Sequence, residues 1–147
     1  MGRLILGVGP KTANDAVRGE LGLWTMAARR DLALLRWWGK LVRMDPTRIC
    51  ARVYRAQKER VQEKKSGWCK KVRDLLTALR LGHLWFSEET GDVQSWSALI
   101  KAKIAEREMK EWRMRVEQKD VLRVYQLWKS ELKFEDYLCH FVVVLIT

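Results

Sequence analysis

Two consecutive segments in the first half of the chain place apolar and basic residues on opposite sides of a helix. If a helix begins near Thr25, the period of 3.6 residues gathers one wide apolar stripe, made of Leu34, Leu35, Trp37, Trp38, Leu41 and Val42. Asp45 and Pro46 then supply a cap and a first-turn proline for a second helix. Its apolar side consists of Ile49, Cys50, Val53, Tyr54 and Val61. The pattern predicts two amphipathic helices in succession.

The same period predicts further helices in the rest of the chain. A short helix covers residues 11–18, entered through Thr12 or Asn14, and another runs from Ser66 to a stop at Gly82. Beyond a loop at 88–95 there follow a long polar helix at about 95–119, two short helices at 122–132 and 134–140, and the apolar tail FVVVLIT. These elements predict an all-α fold of about five to seven helices. We expect the aromatic faces within residues 25–82 to pack into one core.

Length and cysteine content predict a single helical domain, residues 1–147, that folds without disulfides or metal. A possible sub-boundary lies at residues 83–94. Cys50, Cys69 and Cys139 are odd in number and far apart, which favours a reducing compartment. The start MGRLILGVGP has too short an apolar run for a signal peptide, and no segment has the roughly 20 apolar residues that span a bilayer. We therefore expect the nucleus or cytoplasm and no membrane partner.

Positive charge is concentrated in the first half of the chain. The whole sequence has 29 Lys and Arg against 18 Asp and Glu, a net charge of +11. Residues 1–86 contain 19 basic and 7 acidic residues, whereas residues 87–147 contain 10 basic and 11 acidic residues. A basic helical half, residues 1–82, therefore precedes a near-neutral half, residues 95–147. This asymmetry favours a polyanionic partner over a general effect on solubility.

The basic sides of the two amphipathic helices form the candidate binding site. Their cations, with two more from the following helix, are Arg29, Arg36, Lys40, Arg43, Arg48, Arg52, Arg55, Lys58, Lys70 and Lys71. A charged outer face is also what any surface helix needs for solvation. The charges here are of one sign and continue from helix to helix, which predicts contacts with the phosphates of RNA or DNA. Such contacts position the nucleic acid without reading its bases.

No motif predicts a catalytic, cofactor or metal site. Segment 7–12, GVGPKT, has Pro10 where a phosphate-binding loop needs glycine before the lysine. Two clusters invite a metal: Asp136, Cys139 and His140 in one, and Glu88, Glu89 and Asp92 in the other. For the first, a zinc site needs three or four ligands held together, and the only other histidine, His83, is remote and unaccompanied. The second is typical of a solvated turn. We expect no enzyme activity.

Four stretches resemble one known family, the region downstream of the polymerase core in animal non-long-terminal-repeat retrotransposon reverse transcriptases. They are LGVGPKTANDAVRGELGLW at 6–24, ARRDLALLRWWGKLVRMDPTRICARVYR at 28–55, SGWCKKVRDLLTALRLGHLW at 66–85 and KDVLRVYQLWKSELKFEDYLC at 119–139. The segment WWGKLVRM is the most diagnostic of them. The resemblance thus covers nearly the whole chain.

The resemblance implies a helical segment that follows the fingers, palm and thumb and helps to hold the element's RNA and target DNA. A polymerase domain outside this sequence would then be a partner. The chain departs from the family pattern in having no Tyr-x-Asp-Asp stretch, no aspartate set for two Mg²⁺ ions and no Cys/His cluster near its end. The expectation is therefore a non-catalytic nucleic-acid-binding segment derived from a reverse transcriptase.

Two alternatives remain open on the sequence. One is a helical protein-interaction module that anchors a partner helix through exposed tryptophans, with Trp37, Trp96, Trp112 and Trp128 as candidates. The other is a translated retroelement relic without independent function, which would unfold noncooperatively and expose apolar surface.

Overall fold

A computed structural model describes residues 2–60, 67–136 and 138 of the chain. Within these ranges lie eight α-helices: α1 (Gly2–Ile5), α2 (Asn14–Glu20), α3 (Met26–Val42), α4 (Ile49–Glu59), α5 (Trp68–Ala78), α6 (Leu84–Ser87), α7 (Val93–Glu117) and α8 (Arg123–Trp128). A 3-10 turn at Asp120–Leu122 precedes α8. The one extended pairing in the described ranges is an isolated antiparallel bridge between Leu21 and Phe134.

The all-α prediction is confirmed. The described part of the chain contains more helices than expected because α1 and α6 have only four residues each, too few to show a period in the sequence. The long polar helix is present as α7, two residues before its predicted start. Its beginning is fixed by Asp92, whose carboxylate accepts hydrogen bonds from the backbone N–H groups of Gln94 at 2.8 Å and Ser95 at 2.9 Å. No described helix is long and apolar enough to cross a membrane.

Internal contacts divide the chain into two compact units. The central unit is Met26–Ala105, and the terminal unit combines Met1–Thr25 with Glu106–Thr147. The division thus falls at the start of α3 and within α7, and residues 83–94 lie inside the central unit.

Aromatic side chains fill the core of the central unit, as expected for residues 25–82. Trp38 stacks on Trp85 with ring centroids 6.2 Å apart and lies 5.4 Å from Trp96. Its indole N–H donates to the hydroxyl of Tyr54 at 3.0 Å. The edge of Tyr54 in turn meets Trp68, with centroids 6.2 Å apart. One aromatic cluster therefore joins α3, α4, α5, α6 and the start of α7.

Gly39 lets the Trp96 ring lie directly against the backbone of α3. A Cβ atom at this position would clash with the Trp96 indole. The ring is held there by its own N–H, which donates to the backbone carbonyl of Leu35 at 3.0 Å. A glycine inside a helix normally destabilises it by about 0.5–1 kcal/mol relative to alanine. Here the close packing of the tryptophan supplies the reason for the glycine.

The predicted apolar side of α4 is confirmed for Tyr54 and wrong for its other described members. Ile49 is 77% exposed, and Cys50 and Val53 are also exposed, whereas Ala51 and Tyr54 are buried. The large Tyr54 ring determines which side of the helix faces the core, because it buries more apolar area than any aliphatic residue of this helix. Val61 lies outside the described residues.

Asp45 and Pro46 form a turn before α4 and are not its cap. The Asp45 carboxylate accepts hydrogen bonds from the backbone N–H of Thr47 at 2.8 Å and from its hydroxyl at 2.6 Å. An aspartate that binds its own backbone two residues on favours a turn over a helix start. The helix consequently begins three residues after the proline, at Ile49.

The end of α5 lies earlier than the predicted stop at Gly82. Arg80 takes the left-handed conformation with φ 60°, and the N–H of Leu81 reaches back to the carbonyl of Leu76 at 2.8 Å. The N–H of Arg80 binds the carbonyl of Thr77 at 3.0 Å. These two bonds close a Schellman motif, which buries Leu81 beside Leu76. The two hydrogen bonds and the burial of Leu81 require a left-handed residue at position 80, and together they offset the strain of that conformation for Arg80.

The terminal unit packs around Trp112, which is buried with Val116, Leu122 and Leu132. The indole N–H of Trp112 donates to the backbone carbonyl of Asp15 at 2.8 Å, and a Cβ atom at Gly19 would clash with the same ring. A smaller cluster joins Val17, Leu21 and Leu138.

Three predicted elements differ in the terminal unit. Helix α2 begins at Asn14, because the backbone is still extended at Ala13. The helix expected at 122–132 is a 3-10 turn followed by α8, which ends at Trp128 where Lys129 becomes extended. The helix expected at 134–140 does not begin at Phe134, since this residue pairs with Leu21. Residues 137, 139 and 140 of that prediction and the tail FVVVLIT lie outside the described residues.

Candidate nucleic-acid interface

The excess positive charge of the chain belongs to the central unit. Residues 26–105 contain 18 Lys and Arg against 8 Asp and Glu, a net charge of +10. The remaining residues contain 11 Lys and Arg against 10 Asp and Glu, a net charge of +1. The candidate interface therefore lies on the central unit.

All ten predicted phosphate-binding residues lie in the central unit, and most of their side chains face solvent. Eight are exposed: Arg29, Arg36, Lys40, Arg43, Arg48, Arg52, Arg55 and Lys71. Lys58 and Lys70 are half-buried. Lys70 lies 3.4 Å from the carboxylate of Asp74, one helical turn away, which partly neutralises it. Arg52 and Lys71 line none of the cavities described below.

Four of the ten predicted cations surround a single open cavity of about 730 Å³, here called the basic cavity. Its lining consists of Arg36, Lys40, Arg43, Met44, Asp45, Arg48, Val93, Trp96 and Ser97. Asp45 is the one carboxylate among them, and Thr47 already binds that side chain. Among the described residues, no carboxylate forms an ion pair with Arg36, Lys40 or Arg48. The cavity can therefore accept an anionic group with several oxygens.

Arg43 has a structural contact that the sequence did not predict. Its guanidinium donates to the hydroxyl of Thr90 at 2.8 Å, and Thr90 is buried in the loop between α6 and α7. The side chain therefore links the end of α3 to this loop. Because this hydrogen bond holds the Arg43 side chain in place, Arg43 forms part of the wall of the basic cavity and also contributes a positive charge to it.

A second open cavity continues along the outer face of α3, here called the Trp37 groove. It has a volume of about 360 Å³ and is lined by Arg29, Leu32, Ala33, Arg36, Trp37 and Lys40. Trp37 was expected in the buried apolar stripe, but 43% of it is exposed. The predicted apolar stripe of this helix was too wide, because Trp37 lies about 100° around the helix from the buried Trp38. The ammonium of Lys40 lies 5.4 Å from the centroid of the Trp37 ring.

Arg55 and Lys58 line a third cavity with Arg73, about 480 Å³ in volume. Its charge is more balanced, because Glu59 and Glu88 also line it. Lys58 donates to the Glu88 carboxylate at 2.7 Å, and its ammonium lies 5.2 Å from the Trp85 ring centroid. Lys58 is therefore already engaged within the protein.

Glu88 connects this cavity to the aromatic core. The hydroxyl of Tyr54 donates to its carboxylate at 2.5 Å. Burial would raise the pKa of Glu88, but the hydrogen bonds from Lys58 and Tyr54 outweigh burial and hold the pKa below its ordinary value. Burial and the Glu88 hydrogen bond raise the pKa of Tyr54. Glu88 was expected in a solvated turn, and its partners on α4 were not evident from sequence spacing.

The four tryptophans considered as exposed anchors fall into two groups. Trp96 and Trp112 are 2% and 1% exposed, so they are core residues and the expectation was wrong for both. Each is the large apolar residue on its stretch of α7, and each finds a backbone acceptor for its N–H. Trp37 and Trp128 are exposed, the latter by 85%.

The two acidic clusters considered for metal have different outcomes. Glu88 and Asp92 are engaged by Lys58 and by the start of α7, respectively. Cys139 and His140 lie outside the described residues. Among the residues that are described, no group of three or more metal-binding side chains comes together.

Comparison with known proteins gives no match: no protein-family model, no curated protein and no solved structure is similar to this chain.

Proposed function

We propose that the chain binds RNA or DNA through phosphate contacts from its central unit and catalyses no reaction on it. The observation that carries this proposal is the basic cavity, where Arg36, Lys40, Arg43 and Arg48 converge on one open space. The proposal includes the origin suggested by the sequence stretches, a segment derived from a retrotransposon reverse transcriptase that acts beside a polymerase domain. Its place of action would be the nucleus or cytoplasm.

The charge distribution supports this proposal. The net charge of +10 belongs to one unit, and the cations around the basic cavity lack partner carboxylates among the described residues. Arginine presents a planar fork of donors that fits phosphate oxygens in a bidentate arrangement, and three of the four cations are arginine. Because phosphate binding releases condensed counterions, the affinity should fall steeply as salt rises.

Charge reversal in the basic cavity tests the proposal. The variant Arg36→Glu/Lys40→Glu/Arg48→Glu spares Arg43, which holds Thr90, and should fold like the parent chain. Affinity for fluorescent RNA and DNA oligonucleotides would be measured by anisotropy over a salt series. If all three cations contact phosphates, the slope of log affinity against log salt should become shallower by about two for single strands.

A matched control reverses three exposed cations of the terminal unit, Lys11→Glu/Lys110→Glu/Arg123→Glu. Both triple variants change the net charge equally, so non-specific attraction falls equally in both. The proposal expects the salt slope of the control to stay close to that of the parent chain. Equal losses in both variants, or a parent chain that binds no polyanion at low salt, would contradict it.

A second candidate function is protein binding through the terminal unit. Val121, Val124, Leu127 and Trp128 are all exposed and recur at helical spacing, so the 3-10 turn and α8 present an apolar face. Large apolar side chains on one helix face are typical anchors for a partner helix. This function predicts an affinity that ignores salt and falls on Trp128→Ala, which a pull-down followed by a salt titration would measure.

A further inference from the structure

The Trp37 groove combines a partly exposed aromatic ring, over which the Lys40 ammonium lies, with cations along one face of α3. Arg29, Arg36, Trp37 and Lys40 all line it, and every lining residue comes from this single helix. At 1.5 Å per residue, the stretch from Arg29 to Lys40 is about 16 Å long. The groove is therefore an extended strip, with its aromatic ring between cations on both sides.

Trp37 is far more exposed than the three tryptophans that pack together in the aromatic core. Trp38, Trp85 and Trp96 pack against one another and are 0%, 3% and 2% exposed, whereas Trp37 is 43% exposed. Trp37 therefore takes no part in the packing of these three tryptophans. An indole beside cations is an arrangement that binds unstacked bases, because every base presents a π-face while its phosphate meets the positive charge.

We infer that the Trp37 groove selects single-stranded over double-stranded nucleic acid by stacking a base on the Trp37 ring. This inference rests on the proposed phosphate binding and adds the form of the ligand. Arg36 and Lys40 line both the Trp37 groove and the basic cavity, so one strand can contact both. In a duplex the bases are stacked on each other and their faces are closed to the ring, so Trp37 contributes nothing there.

The test compares Trp37→Leu with the parent chain on three probes: a short oligouridylate, a duplex of equal length, and an abasic strand with the same number of phosphates. Leucine keeps an apolar side chain but removes the π-face. Affinity for the oligouridylate should fall by about 5- to 150-fold, the range expected for one base stacked on an aromatic side chain. Affinities for the duplex and for the abasic strand should not change.

Two further variants make the result specific. Trp37→Phe keeps a ring and should restore most of the affinity for the oligouridylate, which also shows that substitution at this position leaves the protein folded. Trp128→Leu removes the exposed tryptophan of the terminal unit and should leave binding to all three probes unchanged.

The outcomes separate this inference from the proposed function. If the parent chain binds all probes with a steep salt dependence but Trp37→Leu affects none of them, or weakens all of them equally, stacking on Trp37 is wrong while phosphate binding stands. If the parent chain binds none of the probes, the proposed function fails and this inference fails with it.

Discussion

The central and terminal units bury a tryptophan in the same way but use their charges differently. Trp96 in the central unit and Trp112 in the terminal unit each donate an indole N–H to a helix carbonyl, that of Leu35 or Asp15. In both units the glycine four residues after that carbonyl, Gly39 or Gly19, makes room for the ring. Both units therefore bury a tryptophan against a helix glycine in the same way.

The charges separate the two units. In the terminal unit the carboxylate of Glu108, 1% exposed, forms an ion pair with Arg18. It also accepts hydrogen bonds from the backbone N–H of Thr25 at 3.1 Å and from the Thr25 hydroxyl at 2.9 Å. The carboxylate of Asp15 forms ion pairs with the ammonium of Lys119 at 2.5 Å and the guanidinium of Arg115 at 3.3 Å. Four cations of the central unit, Arg36, Lys40, Arg43 and Arg48, instead surround the basic cavity. The two units therefore differ in where their carboxylates lie relative to these cations.

Removing the buried carboxylate of the terminal unit should have the largest effect. Glu108→Ala removes the buried carboxylate that accepts from both Arg18 and Thr25, and we expect a loss of about 3 kcal/mol in the free energy of unfolding. Segment-resolved hydrogen exchange should show lost protection in α2. The matched variant Glu111→Ala, on the same helix but exposed, should cost less than about 1 kcal/mol. Equal effects from the two variants would show that the internal charge network contributes little.

Filling the glycine positions comes next and tests the shared packing. Gly39→Ala and Gly19→Ala each push a methyl group into an indole ring, and each should cost about 2 kcal/mol. Hydrogen exchange should rise in α3 and α5 for the first and in α2 for the second. Gly9→Ala is the control, because a Cβ atom there meets nothing within 4 Å. A neutral Gly39→Ala would show that the Trp96 ring can shift without loss.

Acid should weaken both units, the terminal unit through Asp15 and the central unit through Glu88 together with the exposed Asp45 and Asp92, whose pKa values are also lowered. Burial would raise the pKa of Asp15, but Lys119 and Arg115 outweigh it and lower the pKa below its ordinary value of 3.8, as happens to Glu88 below 4.5. A lowered folded-state pKa stabilises the fold above the unfolded-state pKa, and this stability is lost as pH falls through the folded-state value. Urea unfolding from neutral pH to below pH 4 should therefore show declining stability. Asp15→Asn and Glu88→Gln should each flatten the decline, and an unchanged profile in both would contradict the assignment.

Relieving the left-handed arginine should have the smallest effect, and it has the opposite sign. Arg80→Gly removes the Cβ strain at φ 60° and should stabilise the central unit by up to about 1 kcal/mol, whereas Arg80→Ala should give no gain. Thermal unfolding would measure both. Nucleic-acid affinity should stay nearly the same, because Arg80 lines none of the three cavities of the central unit described above. A large loss of affinity would extend the interface to the end of α5.

The sequence predicted helices best where one period dominates over many residues. The starts of α3 and α7 lie within two residues of their predicted positions, because apolar spacing and polar flanks agree there. The side of α4 was predicted only in part: Ile49 and Val53 were placed with Tyr54 on one apolar side, but Tyr54 lies about 100° around the helix from Val53 and is the one of these three that is buried. The end of α5 depends on burial of Leu81 against Leu76, which is a property of the fold and overrides the local preference for glycine.

The candidate site was predictable in composition but not in arrangement. One-sided basic spacing identified the exposed cations of α3, because such side chains remain in solvent whatever the core becomes. That Arg48 meets Arg36 across one cavity depends on the turn at Asp45. That Lys58 is engaged by Glu88 depends on α6, a helix too short to show a period. The contact that engages Lys58 is distant in sequence, whereas the ion pair of Lys70 with Asp74 spans only one helical turn.

The pairing of glycine with tryptophan also has a consequence for evolutionary change. Gly39 can become larger only if Trp96 becomes smaller, and Gly19 can become larger only if both Trp112 and Tyr125 make room, because a Cβ atom at each glycine would clash with those side chains. In diverging copies of this sequence we therefore expect the members of each pair to be replaced together. The two pairs should drift independently of each other, because they share no side chain.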